Sequence, residues 1–212
     1  MAARSNQSGN SYSCAVVLAA RPITIACWAR LRSTPSSWAA IIEHWGGNYN
    51  NMLGMITTGG NRTVAFWTAS SSFTVVTMNL DQWYFLGCRV ASNGQADVFY
   101  AEELGALTFN ASGLTTPDYS SSTMYLLTDS DGEWADVALQ NVVVWPAALT
   151  NAELAAARLV QAPKLPCSIR WGLVNHDQTQ DLSGNGRHLT KTGTLHSTEV
   201  GPPVPWMPDT GL

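Results

Sequence analysis

Residues 82–103 read QWYFLGCRVASNGQADVFYAEE. Two runs rich in aromatic and β-branched residues flank an Asn-Gly pair, the dipeptide that best tolerates the positive φ angles of a tight hairpin turn. An antiparallel hairpin around Asn93 and Gly94 is therefore predicted. Similar runs recur along the chain at 23–31 (ITIACWARL), 38–45, 51–60, 62–69, 73–78, 123–128, 137–145 and 169–174, each bounded by Gly, Asn, Ser or Thr. Only one segment has helical character. After the apolar run VVVW and Pro146, Thr150 can act as an N-cap, Glu153 completes a capping box, and AELAAARL supplies helix formers over 150–160. Many short strands and one brief helix predict an all-β fold, an antiparallel sandwich or barrel.

At 212 residues, 45% of them hydrophobic, the chain can close a single large core. Charged residues are only 12% and the net charge is -4. That composition excludes a nucleic-acid binder, which needs clustered Lys and Arg. A neutral polar surface suits contact with protein or sugar. No apolar run reaches the length of a membrane span, and the seven-residue run CAVVLAA is a poor match to a leader peptide. Cys14, Cys27, Cys88 and Cys167 are widely spaced, with no CxxC. They do not have the clustering of a zinc site; Cys27 and Cys88 lie inside apolar runs and read as small hydrophobes, with a disulfide as the alternative.

Residues 1–13 are polar without periodicity and are expected to form an N-terminal arm; 14–200 form the sandwich. The tail 201–212 holds four of the ten prolines and should be extended. Val204 and Trp206 are its candidate assembly contacts. Both arms are expected to be held by neighbouring chains, because ordering backbone without contacts is costly.

The strand-to-helix device with Trp145, Ala148, Leu149, Thr150 and Glu153 resembles the end of laminin G-like (type 3) jelly-roll domains of the concanavalin A-like lectin/glucanase superfamily. Three further segments agree. ITIACWARL is similar to the family's F-T-I-x-x-W-V strand, the 82–100 hairpin to its W-H-H-V-A … L-Y-V-D-G hairpin, and WGLVN…DLSGNGRHLT to its W-P-L-D … D-S-G-N-G-N-H-G-T segment. The resemblance covers roughly 23–192 and implies a jelly-roll sandwich. Two departures stand out. The last segment follows the helix, whereas in the family it usually precedes the sandwich. An acidic pair usual before the helix is replaced by Gln140 and Asn141, so no metal site is implied there.

Catalysis on such a sandwich needs two carboxylates at alternate positions of one strand face. No E-x-D-x-x-E spacing occurs, Glu102 and Glu103 are adjacent, Glu133 and Asp136 lie across a turn, and no GxSxG or HExxH is present. A non-enzyme is expected. Carboxylates cluster in DSDGEWAD, where Asp129, Asp131 and Asp136 could hold a structural calcium, with Asp181 and Asn185 as further donors. The plainer reading is an Asp-Gly turn capped by its own side chains. Of nine Trp, Trp28, Trp83, Trp145 and Trp171 read as core. His44, Trp45, Tyr49 and Trp67 are the candidates for contact with a glycan or a protein partner. The favoured function is a structural or decoration module that assembles with itself and with other proteins of a larger particle. The resemblance extends to tailed-phage virion proteins, so a virion is the expected location. The alternative is a glycan-binding adhesin or lectin domain, extracellular or at a cell surface.

Overall fold

The computed structural model describes residues 2–5, 9–16, 21–45, 52–57, 60–68, 71–103, 105–115, 123–129, 131–159, 165–174 and 177–202. Fifteen strands and one helix form two sheets among them. The first runs β10 (Thr108–Thr115), β9 (Gln95–Glu102), β8 (Tyr84–Val90), β3 (Ile23–Leu31), β12 (Val137–Trp145), β1 (Ala2–Ser5) and β15 (His196–Glu199), with β13 (Ile169–Trp171) also joined to β12. The second runs β14 (Thr190–Thr192), β2 (Ser11–Ala15), β11 (Thr123–Leu126), β4 (Ala39–Trp45), β5 (Met52–Thr57), β6 (Thr63–Thr68) and β7 (Ser71–Thr77). Every pairing between these strands is antiparallel. The fold is the expected jelly-roll sandwich.

The Asn-Gly hairpin forms as predicted. Val90 faces Ala96, Gly94 takes φ 82°, and Asn93 Oδ1 accepts the Gln95 N–H at 3.0 Å. Between the sheets, Ile25, Cys27, Phe66, Leu86, Val98, Met124 and Val142 form the main core. The opposite face of the first sheet carries Trp28, Phe85, Phe99, Val143 and Trp145, and these are covered by Leu149 and by Leu154 of α1 (Asn151–Leu159). All four tryptophans read as core are buried. The four cysteines are free.

The switch from strand to helix is held by polar bonds at each step. Thr24 Oγ1 donates to the Ala147 carbonyl at 2.7 Å and accepts the Leu149 N–H at 3.1 Å. Glu153 Oε2 accepts the Thr150 N–H at 2.7 Å, and Thr150 Oγ1 accepts the Glu153 N–H at 3.3 Å, which completes the capping box. Arg89 pairs with Asp97 at 2.8 Å and donates to the Leu149 carbonyl at 2.7 Å, tying the hairpin to the helix start.

The N-terminal arm is corrected. Residues 2–5 lie between β12 and β15 in the first sheet, and residues 11–15 lie between β11 and β14 in the second. Ala2 and Ala3 are buried. SYSCA alternates, with Tyr12 and Cys14 turned into the core. Arg4 forms a two-point ion pair with Asp136, Nε to Oδ1 at 2.8 Å and Nη2 to Oδ2 at 3.0 Å. Strands this short carry too few residues to show a period, so the sequence concealed them. In the tail, Gly201 is half-buried and Pro202 buried; Val204 and Trp206 lie outside the described residues.

The segment placed after the helix returns to both sheets. β13 pairs with β12 and β14 with β2. Asp181 organises the loop between them, accepting backbone N–H groups from Arg170, Ser183 and Arg187 at 2.9–3.1 Å. A changed connection order therefore leaves the sandwich intact.

Because β1 is an interior strand, deleting residues 1–5 should lower Tm by about 10 °C or more, at roughly 2–4 °C per kcal/mol for a chain of this size. An unchanged melting curve in differential scanning calorimetry would restore the arm reading.

Candidate functional site

Across the second sheet, Tyr125, Glu43, Gly54, Trp67 and Ser72 are successive cross-strand partners. Directly paired residues present their side chains to one face, here the face turned away from the core. Gly54 contributes no side chain to this row between Glu43 and Trp67, and the Ile56 side chain lies beside it. A Cβ at Gly54 would sit 3.2 Å from the Ile42 carbonyl oxygen and 3.4 Å from Ile56. The neighbouring row supplies Ala40 and Ile56, which pack with Trp67 as a small apolar cluster. Trp38, one residue before β4, is 39% exposed. Its ring meets Trp67 edge to face, at 5.2 Å between centroids and 87° between planes.

The acidic loop borders this face of the sheet. Asp129 Oδ1 accepts the Asp131 N–H at 2.9 Å and the Glu133 N–H at 2.8 Å, and Gly132 takes φ 84°. This is the side-chain-capped turn expected for an Asp-Gly loop. The Ala40 N–H donates to the Glu133 carbonyl at 3.3 Å, which fastens the loop beside β4. The result is a cleft of about 200 Å³ lined by Trp38, Glu43, Ile56, Trp67, Asp129, Asp131 and Glu133. Glu43 is buried in its floor. Burial, then a hydrogen bond to Asp129 and the charges of Asp129 and Asp131, push the Glu133 carboxyl up to about 7.

The structure brings part of the expected site together and divides the rest. Trp67, Asp129 and Asp131 share the cleft. His44 is corrected: it lies in β4, fully buried, opposite core residue Met124 on β11. Strand alternation turns it away from the Glu43 face, so no glycan can reach it. Burial holds its imidazole down at about 4, against a smaller opposing effect of a hydrogen bond with the Val16 backbone. Trp45 ends β4; Tyr49 lies outside the described residues. Of the expected calcium ligands, Asp129 and Asp131 share the cleft, whereas both Asp136 oxygens are engaged by Arg4. Asp181 is committed to its own loop, and Asn185 Nδ2 donates to the Cys167 and Ser168 carbonyls at 3.1 Å. Among the described residues no group of three or more His, Cys, Asp or Glu is placed to hold a metal ion.

Sequence reasoning missed Trp38, Glu43 and Glu133 as cleft residues. The only signal was Gly54 within an apolar run, since a strand glycine often marks a close approach or a gap. Gln140 and Asn141 lie at the β-bulge of β12, where Asn141 takes φ 55°, a conformation Asn tolerates better than most residues. With Arg170 and Gln178 they line a second cleft of about 200 Å³, whose described lining contains no carboxylate.

A two-sheet antiparallel sandwich with an aromatic and acidic cleft on an outer face has the architecture of the lectin-like jelly rolls. The family model of the concanavalin A-like lectin/glucanases superfamily, laminin G type 3, matches residues 5–155, and the chain belongs to this family. Comparison with curated protein sequences yields no match. Among solved structures, a proposed carbohydrate-binding protein of Bacteroides ovatus ATCC 8483 is similar at 13% identity and TM-score 0.61, covering 92% of this chain and 59% of that one. The heptameric SAP-like pentraxin of Limulus polyphemus is similar at 14% identity and TM-score 0.50, covering 74% and 82%. A Trypanosoma rangeli sialidase is similar at 15% identity and TM-score 0.54, and the match spans 74% of this chain but only 27% of the sialidase. At such identities these likenesses establish the fold alone.

The raised Glu133 carboxyl has a consequence for stability. Its folded value of about 7 lies above the ordinary value of 4.5, so between them the folded state binds more protons than the unfolded state. Stability contributed by this group is therefore lost as pH rises from 4.5 toward 7. Glu133→Gln should flatten that part of the Tm-against-pH curve; an unaltered slope would contradict the shift. His44 acts in the opposite sense. Its depressed value means stability falls as pH drops from 6.5 toward 4, and its ring resonances in NMR should remain those of neutral imidazole until that range.

Proposed function

We propose that this chain is a non-catalytic carbohydrate-binding module whose ligand lies in the cleft lined by Trp38 and Trp67. The observation that carries the reading is the exposed Trp38 set edge to face against Trp67 in a cleft with carboxylates on the outer sheet face. The C–H face of a sugar ring is apolar and stacks on an indole, while its hydroxyls donate to carboxylates at the rim. Asp129, Asp131, Glu133 and the buried Glu43 supply those acceptors. Similarity of fold to a proposed carbohydrate-binding protein agrees with this.

Hydrolysis is not part of the proposal. A retaining or inverting pair needs one carboxyl poised to protonate the leaving oxygen and a second as an independent base or nucleophile. Glu133 instead hydrogen-bonds to Asp129, whose Oδ1 is committed to the turn. The proposed setting is the surface of a larger assembly, a virion foremost, or else a cell surface or the extracellular space. A charged share of only 12% supports a module packed against protein.

Trp38 is exposed, so Trp38→Ala should leave the fold intact and weaken glycan binding about tenfold or more, equivalent to about 1.4 kcal/mol. A glycan array followed by calorimetry on the best ligand checks this. Undiminished binding by the variant would move the site elsewhere, and release of reducing ends from the bound glycan would make the protein an enzyme.

A further inference from the structure

We infer that the cleft selects a glycan carrying a free amino group, protonated and cationic, over its neutral N-acetylated counterpart; this rests on the carbohydrate-binding reading of the same cleft. Of the seven described lining residues, four, Glu43, Asp129, Asp131 and Glu133, bear carboxyl groups, and none of the described seven is Lys, Arg or His. The other three are Trp38, Trp67 and Ile56. An acidic cluster alone would suit any cation. Here it surrounds two indoles, and an ammonium over an aromatic face is attracted by the ring quadrupole as well as by the acids. The same indoles supply an apolar platform for the ring that carries the ammonium.

The electrostatics of the loop agree. The causes acting on Glu133 are burial, Asp129 and Asp131, all raising its pKa, and no lysine or arginine acts in the opposite direction. Positive charge delivered by a ligand would relieve that repulsion. The cleft does not have the donor arrangement of a metal centre: among the described residues no triad of His, Cys, Asp or Glu is so placed, and Asp129 Oδ1 is taken by two backbone N–H groups. The whole chain, at net charge -4, also attracts a cation from a distance. Neutral N-acetyl sugars gain none of these terms.

The test compares glucosamine oligomers with N-acetylglucosamine oligomers of equal length by calorimetry. It is run at about pH 6.5, where an amine of ordinary α-amino basicity is protonated. The expected result is at least about tenfold tighter binding of the free amine, a preference that shrinks with added salt and is severalfold smaller in Asp131→Asn. Asp131 is exposed, and circular dichroism confirms that the variant is folded. Trp38→Ala should weaken both ligands. Equal or tighter binding of the N-acetylated oligomer, still dependent on Trp38, would overturn the charge selection and leave the carbohydrate reading standing. Failure of both oligomers together with a blank glycan array would remove both. Oligolysine binding as tightly as the glucosamine oligomer, or calcium displacing it from the cleft, would also overturn the inference, since neither carries a sugar face.

Discussion

Strand β12 is buried along its whole length, and the rest of the molecule is arranged around that fact. Its Val142 and Val144 face the second sheet, while Val143 and Trp145 face the layer under α1. Nine consecutive buried residues need covers on both sides and partners at both edges. The second sheet and the helix provide the covers; β3, β1 and β13 provide the partners. This explains why the chain must change from strand to helix within a few residues of Trp145. The helix is the lid of the outer hydrophobic layer, and the polar bonds from Thr24, Arg89 and Glu153 fix where it starts.

That arrangement also decides where a site can be. On the helix-covered side of the first sheet, Leu149 and Leu154 pack over Trp28, Phe85 and Trp145. On the second sheet the described cleft lies along the row that runs through Glu43, Gly54 and Trp67, and the loop after β11 borders it. A sheet face at this level is rigid, because each backbone group is held in the ladder. Trp67 and Glu43 are thus positioned without loop ordering on binding, which favours affinity for a weakly interacting ligand such as a sugar. Trp38 and the acidic loop form the rim of the cleft.

Buried polar groups follow the same division of labour. Asp181 and Asp129 are both almost buried, and each fixes a loop by accepting backbone N–H groups. Burial works against the Asp181 carboxylate, but its hydrogen bonds from Ser183, Arg170 and Arg187 hold it below the usual range. Glu133 lacks such compensation and moves upward instead. Carboxylates that look alike in sequence therefore do different work, according to whether N–H donors or other carboxylates surround them.

The sequence by itself determined the sandwich, the Asn93-Gly94 hairpin, the helix start at Thr150 and the buried tryptophans. These follow from local periods and turn chemistry, which act between residues close in the chain. It also marked Asp129, Asp131 and Trp67, though as members of two unrelated sites. Only the tertiary structure joined them, since Trp67 and the acidic loop meet through the register of β4, β5 and β6, and register is a long-range property. The same register turned His44 inward and Glu43 outward, a choice that one residue of slip would reverse. The N-terminal strands, too short to show a period, were decided by the edges left open between β12 and β15 and between β11 and β14. Unpaired backbone in a sheet must find a partner, and these were the segments within reach.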